Sequence, residues 1–253
     1  MKKYLSVCML AARGALWPTV IVSLLGAAAT LLCLSGNAAG GLETTFYDAA
    51  MTPMYVGIAL LCVLLMRILR ERGGVQPVYT MQRLRVSETA AFLCQTLVNA
   101  MALFIFQMCQ AAVFLGYGLY MQNAGLGAAE NMSLLVSFVT NTFAHALLPL
   151  GDVPVYFRMA VVYVTLGAAT AYSSYLGRRG KIAISPFVVL ALALFGGGFR
   201  AYVGEYGTEF AIALTGVFIT GIYIGTVRSR EKRKDEEEEE DYNPGGGDVA
   251  PEN

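Results

Sequence analysis

No charged residue occurs in 14–42, 49–66, 89–129, 159–177, 182–199 or 210–227. No other feature limits its fold so strongly. A helix needs about 20 apolar residues to cross a hydrocarbon core about 30 Å thick. Each stretch is long enough for that when flanking arginines reach the interface along their apolar stems. A composition of 56% hydrophobic and only 14% charged residues, with a mean hydropathy of +0.56, sets the chain apart from soluble domains. It reads as all-α, a polytopic transmembrane helical bundle of six spans over 17–228.

The positive charges orient that bundle. With the N-terminus inside, the inner segments hold Lys2, Lys3 and Arg13, then Arg67, Arg70, Arg72, Arg83 and Arg85. Arg178, Arg179 and Lys181 follow, and then the cluster from Arg228 to Lys234. Only Arg158 and Arg200 fall outside, so both termini are expected in the cytosol of a multi-pass cell-membrane protein. The five cysteines lie in or beside apolar segments with no C-x-x-C pair, and read as small packing residues.

Before the first span, residues 1–16 place Lys2, Ser6 and Arg13 on one side of a helix and Leu5, Cys8, Ala12 and Leu16 on the other. This predicts an interfacial amphipathic helix, with a turn at Trp17-Pro18 into the span. Ser35 to Thr52 reads as an outer loop, and Pro53 as the opening of the second span.

The stretch from Arg67 to Glu88, RILRERGGVQPVYTMQRLRVSE, is the one long basic interruption before the C-terminal tail. Gly73-Gly74 breaks the second helix, and Pro77 starts a short new one to about Arg85. Val78, Met81 and Leu84 recur at apolar spacing along it, with Arg83 and Arg85 alongside. A short helix held between two span ends suits docking to a cytosolic partner; an ordinary basic loop touching anionic headgroups explains the arginines alone. Ser87 is the expected N-cap of the third span, with Glu88 complementing the positive helix start.

That third span predicts a polar stripe of Gln95, Asn99, Gln107 and Gln110, confined to about 120° of the helix surface. In lipid such side chains face other helices or a water-filled path, and both readings stay open. Residues 122–156 read as an outer interfacial or re-entrant segment stopped by Pro149, with His145, the only histidine, near its end. In the sixth span Gly221-x-x-x-Gly225 is a weak helix-packing motif. From residue 229 the charge run followed by Gly and Pro predicts a disordered cytoplasmic tail.

Catalytic patterns are missing. There is no G-x-S-x-G and no H-E-x-x-H, and Gly177 to Ile182 lacks both the first glycine and the Ser or Thr of a phosphate-binding loop. The chain is therefore not expected to be an enzyme, to hold a metal or cofactor, or to bind nucleic acid.

An inner interfacial helix, six spans with both termini inside, and a short helix between spans two and three resemble the type-2 ABC transporter permease. Locally, Tyr79-Thr80-Met81-Gln82-Arg83-Leu84-Arg85-Val86-Ser87-Glu88 resembles the inner-loop segment of small bacterial members. Phe143-Ala144-His145-Ala146-Leu147-Leu148-Pro149-Leu150 resembles the stretch before their fourth span. The resemblance implies an exporter permease in the bacterial inner membrane, working with a second permease copy or paralogue. A separate cytosolic ATPase would dock on Pro77, Val78, Met81, Arg83, Leu84 and Arg85 and hold the ATP and magnesium. A non-transporting membrane scaffold is the alternative, and a secondary transporter the third reading.

Overall fold

The computed structural model describes residues 2–36, 41–67, 86–124, 145, 147, 152–196, 199 and 206–242. Within them lie six helices and no strand: α1 (Lys2–Gly36), α2 (Gly41–Leu65), α3 (Glu88–Asn123), α4 (Val153–Gly177), α5 (Ser185–Phe195) and α6 (Tyr206–Tyr242). Four of them, α1, α3, α4 and α6, are long and apolar enough to cross a membrane, which marks a membrane protein. The 11 residues of α5 reach about 16 Å at 1.5 Å per residue, roughly half the hydrocarbon thickness. In α2 the apolar part is Thr52–Leu65.

The third helix is one unbroken element, as its charge-free block predicts. Ser87 caps it, its Oγ accepting a 3.2 Å hydrogen bond from the Ala90 amide, and Glu88 occupies the first turn. Three other elements depart from expectation. The helix does not break at Trp17-Pro18; α1 runs straight through with Pro18 inside. Proline removes only one donor, and Thr19 Oγ1 supplies a donor beside it, bonding Ala15 O at 2.7 Å. Likewise α2 begins at Gly41, inside the stretch expected to be loop, and holds Pro53 in its interior. Finally, α6 continues to Tyr242, through the charge run that was expected to be disordered. Its Lys, Arg and Glu residues are all good helix formers.

Contacts between helix ends show how the bundle is threaded. At one end Cys94 near the start of α3 approaches Tyr4 O at the start of α1, and Ser174 near the end of α4 bonds Met66 O at the end of α2. Glu231 of α6 bonds the first amides of α3 at that same end. At the other end Tyr117 Oη donates to Leu34 O, and Arg158 at the start of α4 pairs with Glu209 at the start of α6. Helices α1 to α4 therefore run in alternating directions, and α6 runs in the same direction as α4. The start of α1 and the latter part of α6 lie at one end.

Helices α3 and α4 are the most buried, with α1 packed chiefly on α3 and α6 chiefly on α4. Glycines permit the close approaches. A methyl group at Gly167 of α4 would lie 2.6 Å from Thr96 O of α3, so these two backbones touch. The ring of Phe106, fully buried, fits against Gly26 of α1 and Gly57 of α2, where added methyl groups would strike it.

Candidate functional site

The polar stripe of α3 lies in the bundle interior: Gln95, Asn99, Gln107 and Gln110 are all buried. Three of them cross to neighbours. Asn99 Nδ2 donates to Thr170 Oγ1 of α4 at 2.9 Å, and Thr30 Oγ1 of α1 donates to Gln110 Oε1 at 2.8 Å. Gln107 Nε2 donates to Leu147 O at 3.2 Å. Of the two readings left open by the sequence, interhelical bonding is the one this geometry displays.

A second constellation gathers where α3 begins. The Glu231 carboxylate of α6 accepts the amides of Glu88 at 2.8 Å and Thr89 at 3.1 Å, and the Thr89 hydroxyl as well. A carboxylate there meets both the orphan donors and the positive end of the helix dipole. Glu88 pairs in turn with Arg179, just beyond α4, and the Arg179 guanidinium lies 4.7 Å from the Tyr175 ring centre. Loss of solvent lowers the pKa of Arg178 beside it, opposed by the Glu88 charge. Both partners of the Glu88–Arg179 pair stay partly exposed.

The expected docking residues Pro77, Val78, Met81, Arg83, Leu84 and Arg85 lie outside the described residues. The two ends of their segment do not. Its start, Met66, is held by the Ser174 hydroxyl at 3.1 Å, and its finish, Glu88, by Arg179 and Glu231. The segment is thus tied at both ends to the C-terminal end of α4, and through Glu231 to α6.

Sequence reasoning missed the ion pair at the opposite end. Arg158, placed outside by charge counting, is fully buried in the second turn of α4 and paired with the equally buried Glu209. Each residue borders a charge-free block, which is the signal that could have found them. His145 is also buried, its Nε2 2.9 Å from Asp152 Oδ2. Gly221 and Gly225 have nothing within 4 Å of an added methyl group. The close approach of α6 to α4 occurs instead at Gly216, beside Val161 and Thr165. Among the described residues no cluster of histidine, cysteine or acidic side chains could hold a metal ion.

No protein-family model matches the sequence, and neither a curated protein nor a solved structure matches it. The functional reading rests on the residues themselves.

Proposed function

We propose that this chain is the membrane subunit of an ABC exporter, energised by a separate ATPase that docks on the loop between α2 and α3. In this reading the bundle crosses the cell membrane six times, with both termini and the Glu88 end in the cytosol. ATP and magnesium belong to the partner, and this chain performs no catalysis. The observation that carries the reading is the double anchorage of the loop. Force applied to residues 68–85 by a partner reaches α2 through Met66, α4 through Ser174 and Arg179, and α6 through Glu231. A loop that only met headgroups would need no such tie to three helices.

The deciding experiment is purification from native membranes with an ABC ATPase identified by mass spectrometry. A buried apolar anchor is worth about 2 kcal/mol or more at an interface, and rim charges much less. Met81→Asp and Leu84→Asp should therefore strip the ATPase away, while Arg83→Ala should weaken it mildly and in a salt-dependent manner. Retention of the ATPase by both Asp variants, or its absence from the unsubstituted protein, would sink the proposal.

One observation favours the alternative, a non-transporting scaffold. Three of the four stripe side chains make hydrogen bonds within a single chain, as helix-packing residues do. An exporter built on this bundle needs its path between two copies. ATP-dependent substrate movement by the purified assembly separates the two readings.

A further inference from the structure

A cavity of about 270 Å³ lies between α4, α5 and α6. Its floor is the buried face of α4, formed by Val162, Thr165 and Leu166. Val189 and Ala193 of α5 form one wall, and Ile212, Gly216 and Ile219 of α6 the other. Exposed Leu192, Ala211 and Thr215 stand at the rim, so the cavity opens sideways rather than to either end of the bundle. Toward the C-terminal end of α4 the walls draw together, where Ser185 of α5 and Tyr223 of α6 approach each other. Tyr223 also packs on Tyr172 with ring centres 4.7 Å apart. The result is a wedge that widens toward Gly196 and Thr208.

The lining tells what can fill it. It contains no charged residue. Two of its threonines turn their hydroxyls away into helix backbone: Thr165 Oγ1 donates to Val161 O, and Thr215 Oγ1 to Ala211 O, each at 2.8 Å. Thr165 Oγ1 also accepts from Thr220 Oγ1 at 3.2 Å, so both hydroxyls are engaged within the protein. A polar ligand would lose its water here and gain few partners, which costs several kcal/mol per group. The volume is also just below the roughly 300–1,000 Å³ of sites that enclose a drug-sized molecule. A slim, flexible, wholly apolar group fits both limits. The opening lies between α4 and α6, both long and apolar enough to cross a membrane, so a bilayer is the natural source of such a group.

We propose that this cleft is a binding site for a single acyl chain, delivered either by a bilayer phospholipid or by a free fatty acid. The site stands whether or not the chain serves an ATPase. Occupancy would set the spacing of α5 from α6.

The test uses full-length protein in nanodiscs with a photoactivatable diazirine on the acyl chain. One arm carries it on phosphatidylcholine, the other on free palmitate, and labelled peptides are mapped by mass spectrometry. Labelling should concentrate on the lining of α4, α5 and α6, about tenfold over the exposed α1 residues Leu16, Leu24 and Leu25, a ratio equal to about 1.4 kcal/mol of preference. Excess unlabelled palmitate or phosphatidylcholine should displace it from the cleft and not from α1. Ala193→Phe and Ala211→Phe, which fill the cleft, should each lower cleft labelling by a similar factor. Labelling confined to the phospholipid arm identifies a bilayer lipid, and labelling confined to palmitate a free amphiphile. Cleft labelling no denser than on α1, or not displaced in the unsubstituted protein, overturns the proposal even if both variants fail to fold.

Discussion

The two ends of α4 solve the same problem with opposite chemistry. Each end joins α4 to a neighbour by an arginine and a glutamate. At the N-terminal end Arg158 and Glu209 are sealed from solvent, at 0% and 1% exposure; at the C-terminal end Arg179 and Glu88 keep 28% and 38%. A buried pair is fixed by its surroundings, because separating the charges leaves each without solvent or partner. An exposed pair separates at small cost, since water and salt replace the partner. The Arg158 end is therefore the fixed end of the α4–α6 pair. The Glu88 end, where the loop is anchored, is the end that can yield.

Removing one charge from the sealed end should give the largest effect. Glu209→Ala should lower stability by about 3–5 kcal/mol, read as a fall in thermal unfolding temperature in mild detergent. The double change Arg158→Met with Glu209→Leu should recover most of that loss, because a well-packed apolar pair replaces the ions. If Glu209→Ala unfolds at the same temperature as the unsubstituted protein, the sealed end is not what fixes the bundle.

Between the two ends, Gly167 is the contact at which α4 and α3 share a backbone surface. A methyl group there meets Thr96 O and the Ala100 amide, neither of which can move aside alone. Gly167→Ala should cost about 1–3 kcal/mol by overpacking. It should also loosen the adjacent Asn99–Thr170 bond, so hydrogen exchange of the α3 centre should rise. A protected α3 centre in that variant would mean that the helices part without consequence.

The smallest effect belongs to the yielding end. Arg179→Ala should cost no more than about 1 kcal/mol and only at low salt. Glu231→Gln removes a charge from a helix N-terminus, worth about 0.3–1 kcal/mol. Melting curves at low and high salt check both. A loss from Arg179→Ala that matches Glu209→Ala and ignores salt would erase the distinction between the ends.

How far the chain alone disclosed this arrangement depends on the range of the forces involved. The extent of α3, its Ser87 cap and the shared face of Gln95, Asn99, Gln107 and Gln110 follow from local periodicity, and the structure displays all three. The course of α1 through Pro18 was not legible, since a proline inside a long apolar run signals a turn as readily as a tolerated interior position. Nor was the pairing of Arg158 with Glu209, whose partners are 51 positions apart in the numbering and meet only once α4 and α6 are packed. Gly216, not the Gly221–Gly225 motif, brings α6 against α4; a glycine spacing says that helices can approach, not where. The docking face proposed for residues 77–85 was read from sequence, and the structure describes only its two anchors.

The seat of Phe106 carries a consequence for how the protein is made. Its ring occupies notches cut by Gly26 in α1 and Gly57 in α2, yet it arrives on α3. A ribosome that has delivered only the first two helices has produced a hairpin with a gap at its centre. The hairpin can insert, but its final packing waits for a residue roughly fifty positions downstream of Gly57. Early in synthesis, then, the pair is held by the lipid around it, and its own interface closes only when the third helix enters the bilayer.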